Sequence, residues 1–83
     1  MKNSKYYVYI LRCNDKSLYT GITNDLENRL KMHNEKKASK YTRCRTPVRY
    51  VYTEEVSDKS SALKREYEIK KLTKAQKEKF ILS

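Results

Sequence analysis

Two rhythms of apolar residues alternate along the chain. The stretch "KYYVYILR" (5–12) is dense in Tyr, Val and Ile, and "LYTGI" (18–22) resumes that composition after "CNDKS" (13–17). Aromatic and β-branched runs joined by a short Asn-Asp-Ser segment predict a hairpin. From Asn24 the period lengthens. Leu26 and Leu30 stand four apart, as on a helix face, with Asn24 as the expected cap and Glu27 three residues on as its capping-box partner. Residues Asn34 to Pro47 carry no apolar rhythm and read as a long loop, often a functional segment in a compact domain. After Pro47, "VRYVYTEEV" (48–56) reads as a third strand. "SDKSS" then offers caps for a helix over Ser60–Lys71, with Ala62, Leu63, Ile69 and Leu72 as its apolar positions. Thr73 and Gln76 form a further capping pattern before a short closing helix that ends in "FILS". The order ββαβαα predicts an α+β fold, three short strands packed against helices in one domain spanning residues 1–83.

Three polar residues and one glycine interrupt this pattern. At about 100° per residue, His33 falls between Leu26 and Arg29, so Arg29 and His33 line one edge of the inward helix face. A guanidinium there either meets an anion, pairs with a carboxylate or carries its head out to water. His33 is read either as a satisfied core imidazole or as part of a site. Glu66 lies about 40° from Ala62, inside the second helix's apolar stripe, whereas Glu68 points away. It can pair with Arg29 or hold a divalent metal, for which a carboxylate is a preferred ligand. Tyr9 and Tyr19 fall on the two neighbouring hairpin strands. Gly21, the sole glycine, sits inside the second of them, where glycine marks a bulge or a close approach to the backbone.

Charge adds a partner. Twenty Lys and Arg against ten Asp and Glu give +10 over 83 residues. The segment "KKASKYTRCRTPVR" (36–49) holds six of the basic residues and no acid. Such a run is either a solvated face or a polyanion contact, and the interleaved Tyr41 and Tyr50 favour nucleic acid, because aromatic faces stack on bases. Lys40, Tyr41, Arg43 and Arg45 are the expected contacts. No recognition helix is evident, so base specificity is not expected.

Other classes drop out. A chain of this length buries about 60% of its unfolded surface and leaves no room for a large enclosed cofactor pocket. The longest apolar run, "YYVYIL", is far short of the roughly 20 residues of a membrane span. "MKNSKYY" lacks the apolar core of a signal peptide, so a cytoplasmic protein is expected. Cys13, Cys44 and His33 do not make a zinc set, and both thiols are expected to be free.

Taken together, "VYI" (8–10), "YTG" (19–21), "NRLKMH" (28–33) and "ALKREYEIK" (62–70) resemble the GIY-YIG nuclease domain, over about residues 6–80. The "YTGITND" and "SKYTR" segments look most like the small stand-alone bacterial members. They are also similar to the nuclease domain of structure-selective junction endonucleases. The resemblance implies a three-stranded antiparallel sheet flanked by helices, and cleavage of DNA phosphodiesters with one divalent metal, Mg²⁺ or Mn²⁺. Carried over residue by residue, Glu66 is the metal ligand and Arg29 stabilises charge on the scissile phosphate. Tyr9 or Tyr19 orients or deprotonates the attacking water, and His33 hydrogen-bonds to one of those hydroxyls. Gly21 lets the phosphate, the metal's water shell and the Tyr19 hydroxyl crowd against the backbone. A phenol with an ordinary pKa near ~10 needs nearby positive charge to act as a base, and Arg29, the metal and the basic segment are the expected sources.

The chain departs from the family pattern twice. Tyr9 stands in "VYI" without the glycine of the family's Gly-Ile-Tyr. Many members also place an Asn after the metal-binding Glu, whereas here the last Asn is Asn34 and the region holds Lys70, Lys74 and Lys77. A metal-dependent endonuclease acting on branched or damaged DNA is the first functional reading. A non-catalytic module binding DNA or RNA on the same fold is the second, in either case with a partner protein to supply targeting.

Overall fold

Strands β1 (Tyr6–Arg12) and β2 (Leu18–Thr23) form the expected hairpin, and β3 (Arg49–Val56) adds to the other side of β1. The result is an antiparallel sheet of order β2-β1-β3. A computed structural model of the chain describes residues 5–82. Residues 1–4 and Ser83, which include the start of "MKNSKYY" and the end of "FILS", lie outside the described residues. Among the described residues, no helix is long and apolar enough to cross a membrane.

Helix α1 (Leu26–Asn34) begins one residue later than the sequence pattern suggests. Its cap is Asp25, not Asn24: the Asp25 carboxylate accepts the Asn28 amide at 3.0 Å. Asp25 is itself seated by Thr23, whose hydroxyl accepts the Asp25 amide at 3.0 Å. The shift leaves Glu27 one position short of a capping box, so it contributes only its charge in the first turn. The segment read as loop contains one helical turn, α2 (Lys40–Arg43), capped by the Ser39 hydroxyl. Four residues are too few for hydrophobic periodicity to reveal.

Helices α3 (Lys59–Lys70) and α4 (Lys74–Leu82) follow β3. Asp58 caps α3 by accepting the Ser61 amide at 2.7 Å. At α4 the expected reciprocal box is present: the Thr73 amide donates to Gln76 Oε1 at 2.9 Å and the Gln76 amide to Thr73 Oγ1 at 3.2 Å. The apolar stripe of α3 is narrower than the sequence suggests. Ala62 and Ile69 are buried, but Leu63 is 48% exposed.

Side-chain alternation gives the sheet two apolar faces. On one, Val8, Ile10 and Leu18 pack with Ala62, Ile69 and Phe80 of α3 and α4. On the other, Tyr9, Leu11 and Val48 pack with Leu26 and Leu30 of α1. A register shift between Ile10 and Leu11 makes Val51 the extra residue in β3. Because of that bulge, Tyr50 stays on the α1 side against Tyr9 while Tyr52 turns to Phe80 on the other face. Arg12 fastens α4 to the sheet through a bidentate pair with Glu78 at 2.6 and 2.7 Å.

Candidate active site

Tyr9 and Tyr19 project from adjacent strands onto the α1 side, with ring centroids 6.5 Å apart. Their positions follow from register: Tyr9 faces Gly21 across the ladder and Tyr19 faces Leu11, which puts the two phenols on one diagonal. A Cβ at Gly21 would lie 2.5 Å from Tyr9 Oη and 2.7 Å from Tyr9 Cζ. The glycine therefore makes room for the Tyr9 ring, a change from the expected phosphate, water shell and Tyr19 hydroxyl. Left-handed backbone is taken elsewhere, by Lys16 and Lys36 with φ of 71° and 66°.

His33 closes the site from α1. Tyr9 and His33 are 2% and 1% exposed, and Tyr9 Oη lies 2.9 Å from His33 Nε2. The other ring nitrogen, Nδ1, is 2.8 Å from the hydroxyl of buried Thr42 on α2. Burial, reinforced by the charge of Arg29, pushes the His33 pKa down to about 4, so the imidazole is neutral at pH 7. Burial also raises the Tyr9 pKa; Arg29 opposes this but does not overcome it. Arg29 by itself therefore does not supply the lowered pKa expected of this phenol. Tyr9 is a phenol at neutral pH, facing a neutral imidazole.

Tyr19 is half-buried, and its hydroxyl has no hydrogen-bond partner among the described residues. Its ring is edge-on to His33 at 5.4 Å and stacked on Tyr41 at 5.7 Å. The Arg45 guanidinium also covers Tyr41, 4.1 Å from the ring centroid, while donating to Asp15 at 2.9 Å and to the Tyr41 carbonyl at 2.7 Å. Both groups lie against the Tyr41 ring, which keeps 38% exposure. Tyr50, also read as a base contact, directs its hydroxyl to the Leu26 carbonyl at 2.6 Å and is a packing residue. Lys40 and Arg43 remain exposed, with no ion pair among the described residues.

Arg29 is half-buried, and its charge acts on Tyr9, His33 and Tyr50 alike. It has no carboxylate partner among the described residues. The pairing with Glu66 considered from the sequence is not formed: Glu66 Oε2 meets Lys70 Nζ at 3.2 Å. Glu66 approaches on α3, which packs against β2 and β1, and its side chain is only 17% exposed. Its charge still acts on Tyr9. Of the lysines standing where an Asn was sought, Lys70 touches Glu66, Lys74 pairs with Glu78, and half-buried Lys77 lies near Lys70.

No three His, Cys, Asp or Glu side chains converge among the described residues, which excludes an all-protein metal cage there. One half-buried carboxylate does suit a Mg²⁺-type ion, which keeps most of its waters and shares its other ligands with substrate phosphate. Thr42 was not singled out by sequence reasoning. A threonine in a polar segment gives no signal until the fold brings it under His33.

Comparison with known proteins places the chain in a family. A UPF0213 protein of Clostridium perfringens is 57% identical over 93% of this chain and 83% of its own length. One from Staphylococcus epidermidis is 54% identical over 93% and 94%. The solution structure of a UPF0213 protein from Bacillus halodurans superposes with a TM-score of 0.60 at 45% identity, covering 93% of this chain and 82% of that one. A solution structure from E. faecalis gives 0.64 at 42% identity, covering 98% and 88%. The model of the GIY-YIG catalytic domain matches residues 5–79, nearly the whole chain, and the protein belongs to that family.

Proposed function

We propose that this chain is a metal-dependent endonuclease that hydrolyses DNA phosphodiester bonds, with branched or damaged DNA in repair or recombination as its substrate class. The observation that carries the reading is Arg29. A half-buried guanidinium with no carboxylate partner among the described residues, beside two phenols and an imidazole, is costly unless an anion meets it. A phosphodiester supplies that anion and accepts the planar donor fork.

The residues then divide the work. Phosphate against Arg29 neutralises the charge that helps depress His33, which makes the imidazole a better proton acceptor once substrate is bound. Tyr9 takes a proton from the attacking water as its own hydroxyl proton passes to His33 Nε2. Its pKa, raised by burial in the metal-free protein, favours this relay over a resident phenolate. Tyr19, its hydroxyl without a partner among the described residues, orients the water or a phosphate oxygen. Glu66 would hold Mg²⁺ or Mn²⁺, which when bound polarises the phosphate and stabilises the leaving oxygen. Lys40 and Arg43 track the backbone of the nucleic acid.

The Lys70 ammonium on Glu66 favours a second reading, a module that binds DNA or RNA without cutting it. One experiment separates the two. Pure protein is incubated with labelled single-stranded, duplex, flap and four-way-junction DNA, and with RNA, in Mg²⁺, Mn²⁺ or EDTA. Metal-dependent cleavage of at least one DNA supports the endonuclease; binding without cleavage under every condition leaves the module.

A further inference from the structure

We infer that Thr42 is a positioning residue: its hydroxyl fixes the tautomer of His33 so that Nε2 is free to accept the Tyr9 proton. The inference deepens the nuclease reading above and rests on it for its consequence in catalysis, though not for the tautomer itself.

A hydroxyl has one proton to give. Thr42 Oγ1 lies 3.3 Å from the Ser39 carbonyl, a group that can only accept, and 2.8 Å from His33 Nδ1. With its proton directed to Ser39, Oγ1 presents a lone pair to Nδ1, so Nδ1 carries the hydrogen. Nε2 then holds the lone pair that faces Tyr9 Oη at 2.9 Å. The opposite tautomer would place a hydrogen on Nε2, pointed at the Tyr9 oxygen, and would leave the relay with nowhere to send its proton. Which ring nitrogen is protonated is set by the bond the other one makes.

The surroundings hold Thr42 in place. It is 0% exposed. Its carbonyl accepts the Arg45 amide at 2.9 Å, and the Arg45 carbonyl in turn accepts the Asn14 amide at 2.8 Å, which ties the α2 turn to the hairpin end. The Tyr41–Tyr19 stack fixes the neighbouring residue of the same turn. "SKYTR" therefore supports the site's rings from below while its lysine and arginine face solvent.

The proton path balances. Water loses a proton to the Tyr9 oxygen as its oxygen bonds to phosphorus, the Tyr9 hydroxyl proton moves to Nε2, and the phosphorus–oxygen bond to the leaving strand breaks, its alkoxide taking a proton from solvent. The resulting imidazolium keeps its Nδ1–H on Thr42, and returning the proton to solvent after product release restores the starting state.

His33 is the single histidine, so long-range ¹H–¹⁵N NMR of uniformly labelled protein reports this ring without assignment. Wild type at neutral pH is expected to show a protonated Nδ1 and an unprotonated Nε2. Thr42→Val keeps the shape and removes the acceptor, and is expected to shift the proton towards Nε2, while Thr42→Ser retains the wild-type spectrum. A wild-type ring protonated on Nε2 overturns the inference, even if Thr42→Val proves unfolded. On the cleaved DNA, Thr42→Val is expected to lower kcat at least tenfold with KM unchanged, and Thr42→Ser to restore it. An altered tautomer with unchanged kcat would overturn the catalytic role. Absence of cleavage by wild type would overturn the nuclease reading, leaving the tautomer to be decided by the spectra.

Discussion

Glu66 pairs through Oε2 with Lys70 at 3.2 Å, one helical turn further along α3, and leaves Arg29 without a carboxylate partner among the described residues. An i,i+4 pair whose lysine is half exposed contributes at most about 1 kcal/mol. Glu66→Gln is therefore expected to change stability by less than ~1 kcal/mol, to keep DNA binding and to abolish Mg²⁺-dependent cleavage. Thermal unfolding, anisotropy and cleavage measured on the same preparation check this. A loss of several kcal/mol would show that the carboxylate holds the fold together and that its metal role is misassigned.

Tyr9 and Tyr19 make different use of their hydroxyls, one bonded to His33 and one without a hydrogen-bond partner among the described residues. Tyr9→Phe removes the relay and is expected to cut the cleavage rate by on the order of 10² with little effect on affinity. Tyr19→Phe is expected to reduce it as well. Tyr67→Phe, on the exposed face of α3, serves as the control and is expected to cleave like wild type. Wild-type rates for both Tyr9→Phe and Tyr19→Phe would remove the phenols from the mechanism.

Arg43 and Arg45 are not equivalent, although they stand two apart in one basic run. Arg45 is engaged with Asp15 and Tyr41, whereas Arg43 is exposed and unpaired among the described residues. Lys40→Ala combined with Arg43→Ala is expected to lower the slope of log affinity against log salt by about 0.9 per lost phosphate contact on duplex DNA. Arg45→Ala is expected to disturb the Tyr41–Tyr19 stack as well, visible as changed Tyr19 resonances. An unchanged slope for the double variant would place α2 away from the nucleic acid.

Much of this cluster is visible in the sequence because its polar side chains oppose the packing pattern around them. Arg29, His33 and Glu66 occupy helix positions that the apolar stripe would fill with Leu or Ile, and that conflict singles them out. The hairpin and the Thr73–Gln76 box are visible for the opposite reason, since local chemistry alone specifies them. What stays hidden depends on contacts between distant segments. Thr42 reaches His33 only through a four-residue turn with no period, and the Val51 bulge that assigns Tyr50 and Tyr52 to opposite faces leaves no pattern mark. Lys70 looks like any surface lysine until Glu66 is placed one turn before it.

His33 also predicts how stability depends on pH. Its folded pKa of about 4 lies below the unfolded value near ~6.5, so between these limits the unfolded chain binds more protons. Its contribution is fully present above about pH 6.5 and is lost as pH falls towards 4, roughly 3 kcal/mol across the window. Glu78, held down to about 2 by its hydrogen bonds from Arg12 and Lys74, contributes stability above its ordinary value of 4.5 that is lost only below it. The two windows overlap only between about pH 4 and 4.5, so a comparison of pH 7 with pH 5 reports His33. Chemical denaturation at pH 7 and pH 5 is expected to show the loss in wild type and a much flatter profile in His33→Gln. An equally steep profile in both would assign the dependence to another group.

Gly21→Ala tests why the one glycine stands where it does. An added Cβ would meet Tyr9 Oη at 2.5 Å and Tyr9 Cζ at 2.7 Å, closer than real Cβ atoms approach, and the Tyr19 ring at 3.2 Å. The Tyr9 ring cannot retreat freely, because it packs edge-on against Tyr50 at 5.3 Å and is bonded to His33. Something in this cluster has to shift, at an overpacking cost of about 1–3 kcal/mol. Gly21→Ala is therefore expected to lower stability by that amount and to displace the Tyr9 hydroxyl from His33, with a loss of cleavage comparable to Tyr9→Phe. Combining it with Tyr9→Phe removes the nearest atom but leaves the Cζ contact, so the two changes are expected to be less than additive in both stability and activity. Strict additivity would show that the alanine acts on some other neighbour, and that the glycine does not serve the Tyr9 ring.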